Sequence, residues 1–418
     1  MKTISRLISL ALLAAAFALP VFAQDPAATP AAAPNPCEEQ ARTDMYTDYY
    51  NSKGKKDASG NPDPAAQKHA YEVGQQYLDK YATACPDKYT ESVRKFVTAY
   101  GEAKNKSDLP ALVFGATPNY QQAFDTGRQI LAKTPDDVST LMILGYGGYQ
   151  AQTKKNTAYN ADALNYAKKA VQLIESGKTP ASWTPFTNKD EALGYLYYSI
   201  AELTFKPNDP STAPAAMPYY LKAASFESPV KKSAITYGRL GAAYQAGQYD
   251  RMQQEFNTKY GGKPETDESK FALDQLNQVI DRIIDAYARA VNFVNSDPNA
   301  KNDASLQAAK AVWMEQLTNF YKFRHDNKAD GLDTFIASVN STPLPAPFEP
   351  KPYVPPAVPA GDTSTGDGAN GTKPPTMATP MTSPATTTQP KPMTPSTTPA
   401  PKPTPTPAKK PPVRQHHG

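Results

Sequence analysis

The chain has 418 residues, of which 39% are hydrophobic, 42 are proline and 2 are cysteine, and its formal net charge is +4. That charge sits at the ends: Lys2 and Arg6 carry part of it, and the stretch from Thr342 carries an excess of about four, which leaves the central body near −2. Such a body lacks the strongly basic footprint of a nucleic-acid binder.

Residues 1–23 read as a secretory signal. Lys2 and Arg6 form a basic start, Leu7 to Leu19 is apolar, Pro20 breaks the run, and Val21-Phe22-Ala23 suits cleavage before Gln24. The apolar run falls short of the ~20 residues that span a bilayer. No cysteine follows it directly, so no lipid anchor is indicated, and no later segment is apolar enough to cross. The expected product is periplasmic or secreted, with no membrane span after cleavage. Residues 24–36 are an Ala- and Pro-rich leader, expected to be flexible.

An even number of cysteines in an exported chain predicts a disulfide, Cys37 to Cys85. Cys37 opens a first helical stretch that runs to Asn51, and Cys85 follows a second over Pro64–Ala84. An antiparallel helix pair would bring the two side by side; two buried free thiols are the alternative.

Further helices come in pairs. Asn119–Lys133 contains Ala123-x3-Gly127-x2-Ile130 and is followed by Pro135. Asp137–Gln150 contains Leu141-x2-Leu144-Gly145, and Asn160–Glu175 contains Ala163-x3-Ala167-x2-Ala170. Asp190–Thr204 carries Leu193-Gly194-x2-Tyr197, and Ala213–Glu227 carries Ala216-x3-Tyr220-x2-Ala223. Lys231–Ala246, with Leu240-Gly241-x2-Tyr244, is expected to pair with Tyr249–Tyr260.

Over residues 119–260 these fragments resemble the two halves of tetratricopeptide (TPR) helix hairpins, in a degenerate version with insertions near Gln152–Tyr159 and Lys206–Pro214. The resemblance implies an all-α fold, a right-handed superhelix (α-solenoid) of stacked hairpins. Small residues (Gly145, Ala170, Gly194, Ala223, Gly241) would let helices approach, and Tyr197, Tyr220, Tyr244 and Phe256 would fill the space between them. It also implies a binding surface rather than one reaction.

Beyond Gly262 the pattern changes. Asp267–Ser296 presents one apolar stripe of Leu273, Leu276, Ile280, Ile283, Tyr287, Val291 and Val294, with Asp285 and Arg289 expected as an i,i+4 pair on the outer surface. Ala304–Arg324 presents Val312, Trp313, Leu317, Phe320 and Tyr321, and a short helix follows near Leu332–Val339. These three form a C-terminal helical cap, which closes a TPR-like domain at 37–341. Residues 342–418 collapse into Pro, Thr, Ala and Lys and are expected to be a disordered tether.

The sequence offers little for catalysis. His69 and His325 stand alone, and His416 and His417 end the chain; none has metal-ligand spacing, and no cofactor is expected. Ser92-x-x-Lys95 matches one element of penicillin-binding enzymes but lacks the companion Ser-Asp-Asn and Lys-Thr-Gly. Gly145-Tyr146-Gly147-Gly148 has no strand ahead of it, so close packing explains it better than a phosphate loop. The abundant side chain is tyrosine, with 25 copies. Tyr46, Tyr49, Tyr50, Tyr146, Tyr149, Tyr195 and Tyr198 are the ones least clearly assigned to packing, and Tyr146, Tyr149, Tyr195 and Tyr198 are the candidate contacts for a peptide or glycan.

The expectation is a non-enzymatic, exported scaffold with an unknown protein or peptide partner. A structural protein held to cell-wall polymer by its tail is the alternative, with a wall-acting hydrolase built on Ser92 behind it.

Overall fold

The computed structural model describes residues 35–355, Pro207 excepted. The expected signal at 1–23, the expected leader up to residue 34 and the expected tail from residue 356 on lie outside the described residues.

Among the described residues the fold is all-helical, with no strand. The helices are α1 (Gln40–Gly54), α2 (Pro64–Tyr81), α3 (Lys88–Phe114), α4 (Tyr120–Lys133), α5 (Val138–Thr153), α6 (Asn160–Glu175) and α7 (Lys189–Thr204). They continue with α8 (Ala213–Ser225), α9 (Ala234–Tyr244), α10 (Asp250–Tyr260), α11 (Asp267–Ser296), α12 (Ala304–Arg324) and α13 (Leu332–Ser338). Many starts follow from one short polar residue. Asp63, Asp87, Asn119, Asp137, Asn188, Thr266 and Asp303 each turn a side-chain oxygen onto first-turn N–H groups that have no partner within the helix.

From α1 to α8 each helix packs on the next, and α3 with α5 and α5 with α7 also touch across the intervening helix. Buried side chains gather in an N-terminal core around Tyr49, Tyr77 and Tyr81, a second around Phe124 and Leu144, and a large third that runs from α5 to Phe348. Tyr49 is therefore core, while its neighbour Tyr50 is 62% exposed.

The disulfide is present: Cys37 and Cys85 are joined, with Cα atoms 5.5 Å apart. Arg42 braces the same corner, donating to the Tyr77 hydroxyl, the Cys37 carbonyl and, at 2.6 Å, to Asp87.

Two sequence expectations fail. Lys231–Ala246 and Tyr249–Tyr260 do not form a hairpin. The chain stays helical from Ala234 to Tyr260, passing through a π turn at Gln245–Tyr249. Gly247 does not stop the helix; it makes room, since a Cβ there would lie 3.2 Å from the Pro214 nitrogen. The partner of α9 is α11.

Asp285 and Arg289 are also not on the outer surface. They are 8% and 4% exposed, and form a two-point ion pair at 2.6 and 3.1 Å. Arg289 donates further to the Thr342 hydroxyl and the Pro343 carbonyl, so the chain after α13 covers the pair. Within the predicted stripe, Leu276 to Val294 is buried as expected, but Leu273 is 37% exposed.

The loop between α4 and α5 is held by charge. Asp136 accepts from Lys178 at 2.7 Å and Lys169 at 2.9 Å, and these contacts lower its pKa from 3.8 to about 2. A depressed carboxylate adds stability that is complete above its unfolded value and is lost as pH falls through the folded one. Acidification from 3.8 towards 2 should therefore release this clasp. Carboxyl NMR should place the Asp136 midpoint near 2, and Asp136→Asn should flatten that part of the stability curve. A midpoint at the ordinary value would show that the two lysines do not hold it.

A candidate binding face of tyrosines on α5 and α7

Helix α5 owes its position to small residues. A Cβ on Gly145 would lie 2.8 Å from the Ala167 backbone of α6, and one on Gly148 2.1 Å from the Ala163 Cβ. One on Gly147 would come within 2.7 Å of Val113 on α3. These three glycines let α3 and α6 close onto α5, which leaves Tyr146 and Tyr149, one turn apart, on its remaining face. The helical repeat puts Tyr195 and Tyr198 in the same relation on α7.

The two pairs meet in register. Tyr146 lies 5.3 Å from Tyr195 between ring centres, and Tyr149 lies 5.6 Å from Tyr198, edge to face. Phe186, from the loop before α7, stacks on Tyr195 at 5.5 Å and touches Tyr146 at 5.2 Å; Phe114 of α3 flanks Tyr146 at 5.7 Å. The sequence thus named four residues that the fold brings into one aromatic cluster. They are not equivalent, because Tyr146, Tyr149 and Tyr195 are half-buried and Tyr198 is only 7% exposed.

A charged pair adjoins the cluster. Glu202, one turn beyond Tyr198, accepts from the Tyr220 hydroxyl at 2.7 Å, and Arg239 of α9 reaches the same carboxylate oxygen at 3.1 Å. Glu202 is 11% exposed in its side chain and Arg239 40%, so the arginine side chain is partly open while its partner is covered. Burial pushes all four tyrosine hydroxyls up, Tyr146 to about 12 with help from Tyr195 and Tyr149. They remain neutral donors and acceptors at physiological pH.

Sequence reading missed Phe114, Phe186, Glu202 and Arg239. Glu202 had a signal: it is the one charged residue between Ala192 and Thr204, on the same helical face as Tyr195 and Tyr198. Arg239 had none, since it arrives from another helix.

The other candidates sit apart. The Ser92 carbonyl on α3 accepts the Tyr49 hydroxyl at 3.2 Å, and Lys95 is exposed. His69 faces Asp48 at 3.0 Å, and His325 stacks on Tyr321 at 3.9 Å. His416 and His417 lie outside the described residues. Among the described residues no group of His, Cys, Asp or Glu is placed to hold a metal, and no helix is long and apolar enough to cross a membrane. No family model matches the chain, and neither a curated protein nor a solved structure matches it.

Proposed function

We propose that this chain is an exported, non-enzymatic TPR-like scaffold whose helix pairs stack as a solenoid and present the tyrosine face to a protein or peptide partner. One observation carries the reading: Tyr146 and Tyr149 stand in register with Tyr195 and Tyr198, partly open to solvent, beside an arginine whose carboxylate partner is covered. Tyrosine offers large contact area with few rotatable bonds, and arginine offers directional donors; both are enriched where binding energy concentrates. The described faces of α3, α5 and α7 would form the inner wall, and the tail would act as a tether. The signal segment and the Cys37–Cys85 bridge support an oxidising, extracytoplasmic site of action.

The test is in vivo cross-linking from a photoreactive residue at position 195, followed by mass spectrometry. A reproducible partner is expected; recovery of nothing above background would overturn the reading. With the partner in hand, Tyr195→Ala with Tyr146→Ala should weaken binding roughly 30-fold or more, as hot-spot truncations do. Helical content should persist. Tyr198 is the wrong choice for this test, because truncating so buried a ring would open a cavity in the core.

A further inference from the structure

Residues 342–355 have no helix, yet they lie on the body as a strap. The run Pro343-Leu-Pro-Ala-Pro347-Phe348-Glu-Pro350-Lys-Pro352-Tyr353 places proline at nearly every second position. Proline lacks an N–H and favours extended backbone, so such a chain offers mostly carbonyls. The body supplies the matching donors. Arg289 donates to the Pro343 carbonyl at 3.0 Å, Arg282 to Ala346 at 2.8 Å and Gln248 to Phe348 at 3.4 Å. In return Gln275 accepts the Lys351 N–H at 3.0 Å. One side chain anchors the strap: Phe348 is 4% exposed, with the Arg282 guanidinium 5.5 Å from its ring centre.

The surface beneath is a groove, not a flat face. Beside Pro350, Lys351 and Tyr353 lies a cavity of about 320 Å³ walled by Phe256, Tyr260 and Phe271 of α10 and α11. Further back along the strap, Gln248 of the π turn meets the Phe348 carbonyl. Tyr244, at the start of the π turn, also lies beside the Phe348 backbone. An aromatic-walled groove that reads main-chain carbonyls and one hydrophobic anchor is a general solution for holding a polyproline-type chain. The Pro-Lys-Pro triplet of the strap recurs at 390–392 and 401–403, there without an aromatic residue nearby.

The geometry points to the groove between the π turn, α10 and α11 as a binding site for extended proline-rich peptides with an aromatic anchor, with residues 343–353 as its displaceable resident. No part of this rests on the tyrosine face. The resident is covalently attached, so its effective concentration suppresses binding of a free peptide until it is weakened.

The test uses the full-length protein and a fluorescent peptide of residues 343–354. Wild type should bind it weakly, and Phe348→Ala protein at least about tenfold more tightly, because its own strap has lost its anchor. Adding Phe271→Ala should abolish that gain. Absence of any gain in a Phe348→Ala protein with native helical content would overturn the site, as would equal binding of a scrambled peptide. Hydrogen exchange on wild type guards against a variant that does not fold. Strap amides should exchange at least ~100-fold faster than the central amides of α11. Equal protection would make the strap a fixed part of the core and end the proposal.

Discussion

Replacing Asp285 by alanine should destabilise the protein by about 3–5 kcal/mol, because it strands a guanidinium inside the fold. Arg289 is 4% exposed while the strap is in place, so removing its carboxylate leaves the guanidinium covered. Its remaining acceptors, Thr342 and Pro343, are neutral and belong to the strap. The pair itself is not the source of that figure. Two buried charges give back much of their attraction as desolvation, and burial in fact pushes the Asp285 carboxyl up despite Arg289. A double replacement, Asp285→Leu with Arg289→Met, should therefore be far milder than Asp285→Ala, and close to neutral. Urea melts of the wild type and the two variants decide this. A loss below about 1 kcal/mol for Asp285→Ala would show that water reaches Arg289 and that its burial is overstated.

The second large effect is expected at the disulfide. A closed loop between cysteines 48 positions apart should contribute about 4 kcal/mol by restricting the unfolded chain. The loss in Cys37→Ser with Cys85→Ser should be local. Tyr49, Tyr77, Tyr81 and Val93 form a core of their own, separate from the cores that hold α5 to α11. Arg42 and Asp87 brace that corner, but their contact is partly open to solvent and cannot replace a covalent link. Hydrogen exchange on the double variant should show faster opening across α1, α2 and the first half of α3, with α5, α7 and α9 little changed. Uniform loss of protection along the chain would mean that the N-terminal hairpin and the rest melt as one unit.

Much of the helical order was legible because its causes are local. Asn119 and Asp137 announce helix starts by side-chain chemistry alone, and the edges of α4, α6 and α7 fall within one residue of the reading. The glycines of α5 were read as close-packing residues, and Gly145, Gly147 and Gly148 each meet a neighbouring helix. The break expected between Ala246 and Tyr249 fails, because Gly247 there permits a tight approach rather than a turn. A π turn keeps helical dihedrals on both sides, so no sequence period marks it. Asp285 and Arg289 were misplaced for another reason. Their covering comes from residues 342–348, whose composition alone assigns them to the tail. Phe348, an aromatic among prolines, was the overlooked hint. The tyrosine face was half legible: helical spacing names Tyr146, Tyr149, Tyr195 and Tyr198, but only tertiary register joins them to Arg239.

The succession of helices has a kinetic side. The closely packed pairs α1 with α2, α5 with α6 and α7 with α8 are chain neighbours joined by short loops, and α9 skips only α10 to reach α11. Contacts so near in sequence make relative contact order low, and little loop entropy is spent before each is rewarded. If the chain is exported as proposed, it could close its helix pairs one after another as they emerge from a translocon. It would not wait for a distant strand to arrive, and it would expose its apolar faces only briefly.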